Sequence, residues 1–346
     1  MSTYQEIKGL KVKFLDADTS GDRAVEGEIF YNSTAATIAT HIGVGAWSAG
    51  SNMIGGRRFA GGTGTQTAAL TFGGEQGAPE SLLATTEEYN GAGWSTGGNL
   101  NDAKEGVSGF GTQTASVSVG GKIPGVTAQV EEYNGSTWSE VTNVPAVIAG
   151  GAGAGTLTAG LFFGGSVPGK SNATLEYDGT NWTTGGNLNT ARGYLGGLGT
   201  QTAASAIAGL GPAPGNVAIQ EQYNGTAWSE VGDMNTARRS LGASGIQTAA
   251  LGFAGYTNAA QVLTELWDGT SWTEVADLGT SRYRIASGTS ATSSASIGFG
   301  GGPGGSKLTE EWNLSISSTT AAAWASGGNM GTGRYGLAGT GTQTAA

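Results

Sequence analysis

The cations of this chain sit on a ruler. Arg57, Lys104, Arg192, Arg238, Arg282 and Arg334 each follow a tryptophan by ten positions, these being Trp47, Trp94, Trp182, Trp228, Trp272 and Trp324; a seventh, Trp138, is followed by Ile148. A set of repeated guanidinium groups could hold an anion. Glu88, Glu132, Glu176 and Glu311 recur with them, each just before an aromatic residue, and the combination reads as an internal ion-pair ladder. Losing one partner of a buried pair costs about 3–5 kcal/mol, which is reason enough for the repetition. The tryptophans could stack on sugar rings, but their fixed place in every unit reads as packing.

Unique residues with catalytic potential are scarce. His41 is the one histidine and cysteine is absent, so a multi-histidine or thiolate metal centre cannot be assembled, and no convincing Ser-His-Asp set can be built around His41 alone in so small-residue a context. Asp16-Ala17-Asp18-Thr19-Ser20-Gly21-Asp22 alternates oxygens as a calcium loop does. Its twelfth position is Gly27, however, and no helical pattern flanks it. It reads as a solvated Asx-type turn, with calcium at Asp16, Asp18 and Asp22 the weaker alternative. The expectation is a protein that is not an enzyme and needs no cofactor.

The elements that carry this ruler are short strands. Nine residues beyond each cation position stand Gln66, Gln113, Leu157, Gln201, Gln247, Ala291 and Gln343. Successive tryptophans lie 47, 44, 44, 46, 44 and 52 residues apart by subtraction, and a period in the forties with aromatic and glycine marks belongs to β-propellers. Within a unit, two extended runs flank Gly-Thr-Gln-Thr, and a third ends at Asn90-Gly91 or its counterparts Asn134-Gly135, Asp178-Gly179, Asn224-Gly225 and Asp268-Gly269. Asn-Gly between strands predicts a type I′ hairpin. Each unit therefore reads as strands a, b, c and d of one blade.

Gly73-Gly74, Gly120-Gly121, Gly164-Gly165 and Gly300-Gly301 closing strand b, Tyr89, Tyr133, Tyr177 and Tyr223 in strand c, and the tryptophans opening strand d resemble the kelch motif. Departures are Gly209-Leu210-Gly211, Ala254-Gly255, Trp267 and Trp312. The resemblance covers residues 27–346 and implies an all-β, seven-bladed kelch-like propeller. Its closing blade would take strands c and d from Gly27–Tyr31 and Trp47, and strands a and b from Arg334–Ala346. Residues 1–26 would form a separate arm for docking or oligomerisation.

A formal net charge of −10 argues against a nucleic-acid partner, and no apolar run is long enough to span a bilayer. Unit length varies mainly between strands b and c. Those loops share a face with the d-to-a connections, and loops on a rigid scaffold are where recognition concentrates. Candidate binding residues are therefore Glu75, Glu80, Leu82, Lys122, Lys170, Asn216, Asn258 and Lys307; the opposite face, with its repeated turns, reads as scaffold. Gly27-Glu28-Ile29-Phe30-Tyr31-Asn32-Ser33-Thr34 and the Gly185–Arg192 repeat resemble virion propellers of tailed marine bacteriophages. That resemblance implies a tail- or fibre-associated virion protein, made in the host cytoplasm. Its partners would be other virion proteins, reached through residues 1–26, and a host-surface glycan or protein. The alternative is a secreted, lectin-like bacterial propeller.

Overall fold

The computed structural model describes the backbone of residues 4–7, 10–15, 29–32, 37–77, 81–212 and 215–320, with side chains between 45 and 315. The chain divides into two compact units. One comprises residues 1–44 and 316–346, the other Gly45–Ser315. In the first, Tyr4–Ile7 pairs antiparallel with Leu10–Leu15, which pairs parallel with Ile29–Asn32. Ile29–Asn32 in turn pairs antiparallel with the start of Thr37–Ala49. The expected boundary at Gly27 lies outside the described residues.

Gly45–Ser315 is a β-propeller. Blade 1 is Gly61–Thr65, Ala68–Phe72, Thr86–Tyr89 and Trp94–Thr96; blade 2 is Ser108–Thr112, Ala115–Val119, Val130–Tyr133 and Trp138–Glu140. Blade 3 is Ala152–Thr156, Ala159–Phe163, Thr174–Tyr177 and Trp182–Thr184; blade 4 is Gly196–Thr200, Ala203–Leu210, Asn216–Tyr223 and Trp228–Glu230. Blade 5 is Gly242–Ile246, Ala249–Phe253, Thr264–Trp267 and Trp272–Val275. Blade 6 takes strands a to c from Ala286–Ser287, Ala295–Phe299 and the beginning of Thr309–Thr320; the last residues of Thr37–Ala49, around Trp47, supply strand d.

The ring thus has six blades, where seven were expected. The reason is Trp47. Its indole N–H donates to Thr264 Oγ1 of blade 5 at 2.9 Å, and its ring packs on Phe253 and Trp312. Four of the other five closing tryptophans do the same to the blade before them: Trp94 to Thr309, Trp138 to Thr86, Trp228 to Thr174 and Trp272 to Gln220. Trp182 packs against the apolar cluster that contains Val130, the residue in that place, and donates to the Thr142 carbonyl instead. Trp47 therefore closes a sixth blade and does not open a seventh. Trp324, Arg334 and Gln343 lie outside the described residues.

Six is also the count at the axis. The amides of Phe59, Gly106, Gly150, Tyr194, Ser240 and Arg284 each donate to the carbonyl of the equivalent residue one blade back, at 2.7–3.3 Å, and Phe59 closes the circuit onto Arg284. The innermost strands meet so closely that a Cβ on Gly153 would stand 2.6 Å from the Gly109 carbonyl. Glycine there is a packing requirement of the axis.

Side-chain staples repeat between blades. Gln113 Nε2 donates to the carbonyls of Ala69 and Tyr89, Gln201 to Gly160 and Tyr177, Gln247 to Ala204 and Tyr223, and Gln66 to Ser296 and Trp312. Each glutamine ties strands b and c of the preceding blade. The Asn-Gly turns differ from the expected two-residue hairpin. Tyr89 pairs with Trp94 across four residues, and the Asn90 side chain accepts the amides of Ala92 and Gly93. The two-residue hairpin falls at Gln66-Thr67. In blade 4 the counterpart of the strand-b glycine pair is Ala208-Gly209, both at positive φ, one position before the expected one.

The ion-pair ladder exists one residue earlier than expected. Its carboxylates are Glu87 with Arg57, Glu131 with Lys104 at 2.8 Å, Glu221 with Arg192 at 2.6 Å, Glu265 with Arg238, and Glu310 with Arg282 at 3.3 Å. All these pairs are buried. Burial lowers the Arg192 guanidinium from its ordinary pKa, and the adjacent Glu221 opposes that shift. Strand parity explains the offset: neighbouring residues point to opposite faces. Glu88, Glu132, Glu176 and Glu311 therefore accept the hydroxyls of Tyr133, Tyr177, Tyr223 and Tyr89 from the following blade.

Candidate recognition face

The d-to-a and b-to-c connections share one face, where they pair directly: Arg58 with Glu75, Glu105 with Lys122, Ala149 with Val167, Gly193 with Leu210 and Arg239 with Tyr256. At its centre the axial hydrogen-bond circuit displays side chains. Four of its six residues, Phe59, Tyr194, Ser240 and Arg284, hold φ between 53° and 56°, while the other two are Gly106 and Gly150. A non-glycine residue in this left-handed region costs about 1–3 kcal/mol, and such residues cluster at binding sites. The backbone conformation follows from the circuit itself, which turns the chain sharply at the axis in every blade.

Around these residues lies a depression of about 300 Å³ lined by Phe59, Tyr194, Arg239, Tyr256, Tyr283 and Arg284, with Leu210 and Ser240. Phe59 and Tyr194 have ring centroids 5.8 Å apart, Tyr256 and Tyr283 5.0 Å. The Arg284 guanidinium lies 3.9 Å from the Phe59 ring centroid and 5.0 Å from that of Tyr283; Arg239 lies 4.8 Å from Tyr256. Arg239 donates to Asn216 Oδ1 at 2.9 Å. Glu75 is the carboxylate of the cluster, 2.7 Å from Arg58 and 4.0 Å from Arg284. The mouth is thus aromatic and locally cationic on a chain of formal net charge −10.

The residues expected to bind are only partly gathered here. Glu75 is buried in the Arg58 ion pair, and Asn216 buttresses Arg239 while donating to the carbonyls of Tyr256 and Thr257. Leu82 pairs with Glu75 in a two-stranded ribbon. Lys122 lies 3.5 Å from Glu105, and Lys170 donates to Ser166 Oγ. Asn258 and Lys307 are exposed on other loops of the rim. Glu80, Asp16, Asp18 and Asp22 lie outside the described residues. Phe59, Tyr194, Arg239, Tyr256, Tyr283 and Arg284 were not anticipated. A signal for five of them exists in the one or two positions after each repeat arginine, where Arg58-Phe59, Gly193-Tyr194, Arg239-Ser240 and Tyr283-Arg284 differ from blade to blade.

The opposite face carries the glutamine hairpins and the Asx-type turns. Blade 3 keeps the hairpin with Leu157 in place of glutamine, and blade 6 departs further. Its connection at Gly288–Ser294 crosses the axis, where Ser290 Oγ donates to the Gly111 carbonyl at 2.7 Å, its amide to Gly64, and the Ala291 carbonyl accepts from Gly245. This accounts for Ala291 in the glutamine position.

Comparison of the chain with protein-family models and with curated proteins finds no match.

Proposed function

We propose that this chain is a kelch-type recognition propeller without catalytic activity, acting as a tail- or fibre-associated virion protein of a tailed bacteriophage. It would contact a host-surface or virion partner through the face bearing the axial mouth. One observation carries the binding role: aromatic and arginine side chains are held at positive φ around a depression on one face only. The opposite mouth is lined mainly by small residues, among them Gly155, Gly199, Gly245 and Ser290. The virion setting rests on the resemblance of residues 27–34 and of the Gly185–Arg192 repeat, with residues 1–26 as the docking arm. The secreted lectin-like reading draws on the same mouth and differs in where the protein works.

Imaging purified particles with antibody to the propeller tests the setting; particles free of the protein would favour the secreted reading. Particles carrying Tyr194→Ala with Arg284→Ala test the surface. Attachment should fall at least about tenfold, as for loss of a clustered hot spot, with the propeller still folded. Parental attachment rates would exclude the mouth.

A further inference from the structure

Resting on the mouth as the binding surface, we propose that it recognises a saccharide bearing a carboxylate group. The argument begins with what the two arginines lack. Arg239 makes one side-chain hydrogen bond, to Asn216, and Arg284 makes none among the described residues. The nearest carboxylate to Arg284 is Glu75 at 4.0 Å, and Glu75 is already engaged by Arg58 at 2.7 Å. A guanidinium carries five N–H donors in a planar fork that matches the two oxygens of a carboxylate. Both arginines are half-buried, so their donors are partly withdrawn from water; among the described residues Arg239 has no carboxylate partner and Arg284 has only the 4.0 Å contact with Glu75. A bound carboxylate supplies that missing acceptor.

The aromatic residues define the rest of the ligand. Phe59 and Tyr194 on one side, and Tyr256 and Tyr283 on the other, line the same depression as the arginines. Their faces are apolar and the phenol edges of the three tyrosines are polar, the pairing that a sugar presents through its C–H face and its hydroxyls. About 300 Å³ accommodates one or two sugar rings. A nucleic acid fits poorly, because a net charge of −10 repels a phosphate backbone. Sulfate esters can also present two oxygens to a guanidinium fork, but sulfate is the weaker hydrogen-bond acceptor, so a carboxylate is the specific expectation.

Titration calorimetry of the full chain with a galacturonic acid trisaccharide, a galactose trisaccharide and a sulfated galactose trisaccharide tests the assignment. The carboxylated sugar should bind, and the other two should bind at least about tenfold more weakly, the scale of losing one charge-assisted hydrogen bond. Arg239→Gln and Arg284→Gln should each weaken the galacturonate by a similar factor while leaving the melting temperature near the parental value, since neither arginine belongs to the buried ladder. Equal binding of the neutral or the sulfated sugar would overturn the proposal, as would full affinity in both variants or no sugar binding at millimolar concentration. Should no sugar bind while Tyr194→Ala with Arg284→Ala still abolishes attachment, the mouth remains the binding surface and the carbohydrate assignment falls.

Discussion

Tyr133 and Glu88 show how a single contact is specified twice in the sequence. The Tyr133 hydroxyl donates to Glu88 Oε1 of the preceding blade at 2.5 Å, and the motif recurs for Tyr177, Tyr223 and Tyr89. Where the strand c aromatic is tryptophan, at Trp267 and Trp312, no hydroxyl needs an acceptor, and the matching residues one blade back are Gln222 and Leu266. Burial, reinforced by the carboxylate, pushes the hydroxyls of Tyr89, Tyr133 and Tyr223 up from 10.0 to about 12, and Tyr177 also upward. A raised pKa means that the unfolded chain releases its protons first, so stability is intact below pH 10 and declines as pH rises towards 12. Tyr133→Phe should cost about 1 kcal/mol near pH 7, through the acceptor it leaves unpaired. It should also show a smaller drop in melting temperature between pH 9 and 11 than the parent. An equal drop would mean that the hydroxyl does not titrate through this contact.

At the scale of the blade, blade 3 is a natural double substitution. Ile148 stands where the other blades have a cation, and Leu175 where they have the paired carboxylate; the two pack in one apolar cluster. Buried ion pairs are often replaceable by apolar residues of similar volume, whereas one partner alone is costly. Arg192→Ala should therefore destabilise blade 4 by about 3–5 kcal/mol, and Arg192→Ile combined with Glu221→Leu should recover most of that loss in urea denaturation. If the double variant were no better than the single one, the pair would be specifically required. Much at this scale was legible in the sequence. The period, the strand order, the packing role of the tryptophans and the existence of the ladder all follow from fixed spacing. The partner glutamate was misplaced by one residue because Glu87 and Glu88 are chemically identical and only strand parity separates them. The mouth was not legible, because its residues are those that break the repeat, and their convergence at an axis is a property of closure.

The whole ring turns on which tryptophan closes it. Residues 323–346 echo residues 46–69: Ala323-Trp324, Asn329-Met330, Arg334 and Gly339 to Ala346 match Ala46-Trp47, Asn52-Met53, Arg57 and Gly62 to Ala69. From such a duplicated pattern a seventh unit is a natural count. In the structure the first copy does the work: Met53 is buried, Arg57 pairs with Glu87, and Gln66 staples Trp312. Trp47→Ala should accordingly cost about 2–4 kcal/mol, somewhat below a fully buried tryptophan. Deleting residues 334–346 should leave the melting transition of the ring in place, as followed by tryptophan fluorescence. The reverse outcome, a tolerant Trp47 and a critical carboxyl-terminal segment, would restore a seven-bladed closure.

The amides of Phe59, Gly106, Gly150, Tyr194, Ser240 and Arg284 point the same way around the axis, each polarising the next. A circuit of this kind has no terminal donor from which fraying can start. Exchange of any one of these six hydrogens with solvent then requires a gap between two blades, so opening costs as much as separating the blades themselves, and the six should exchange together as a single unit. Although it lies beside an open depression, the axis becomes a reporter of whether the whole ring is shut.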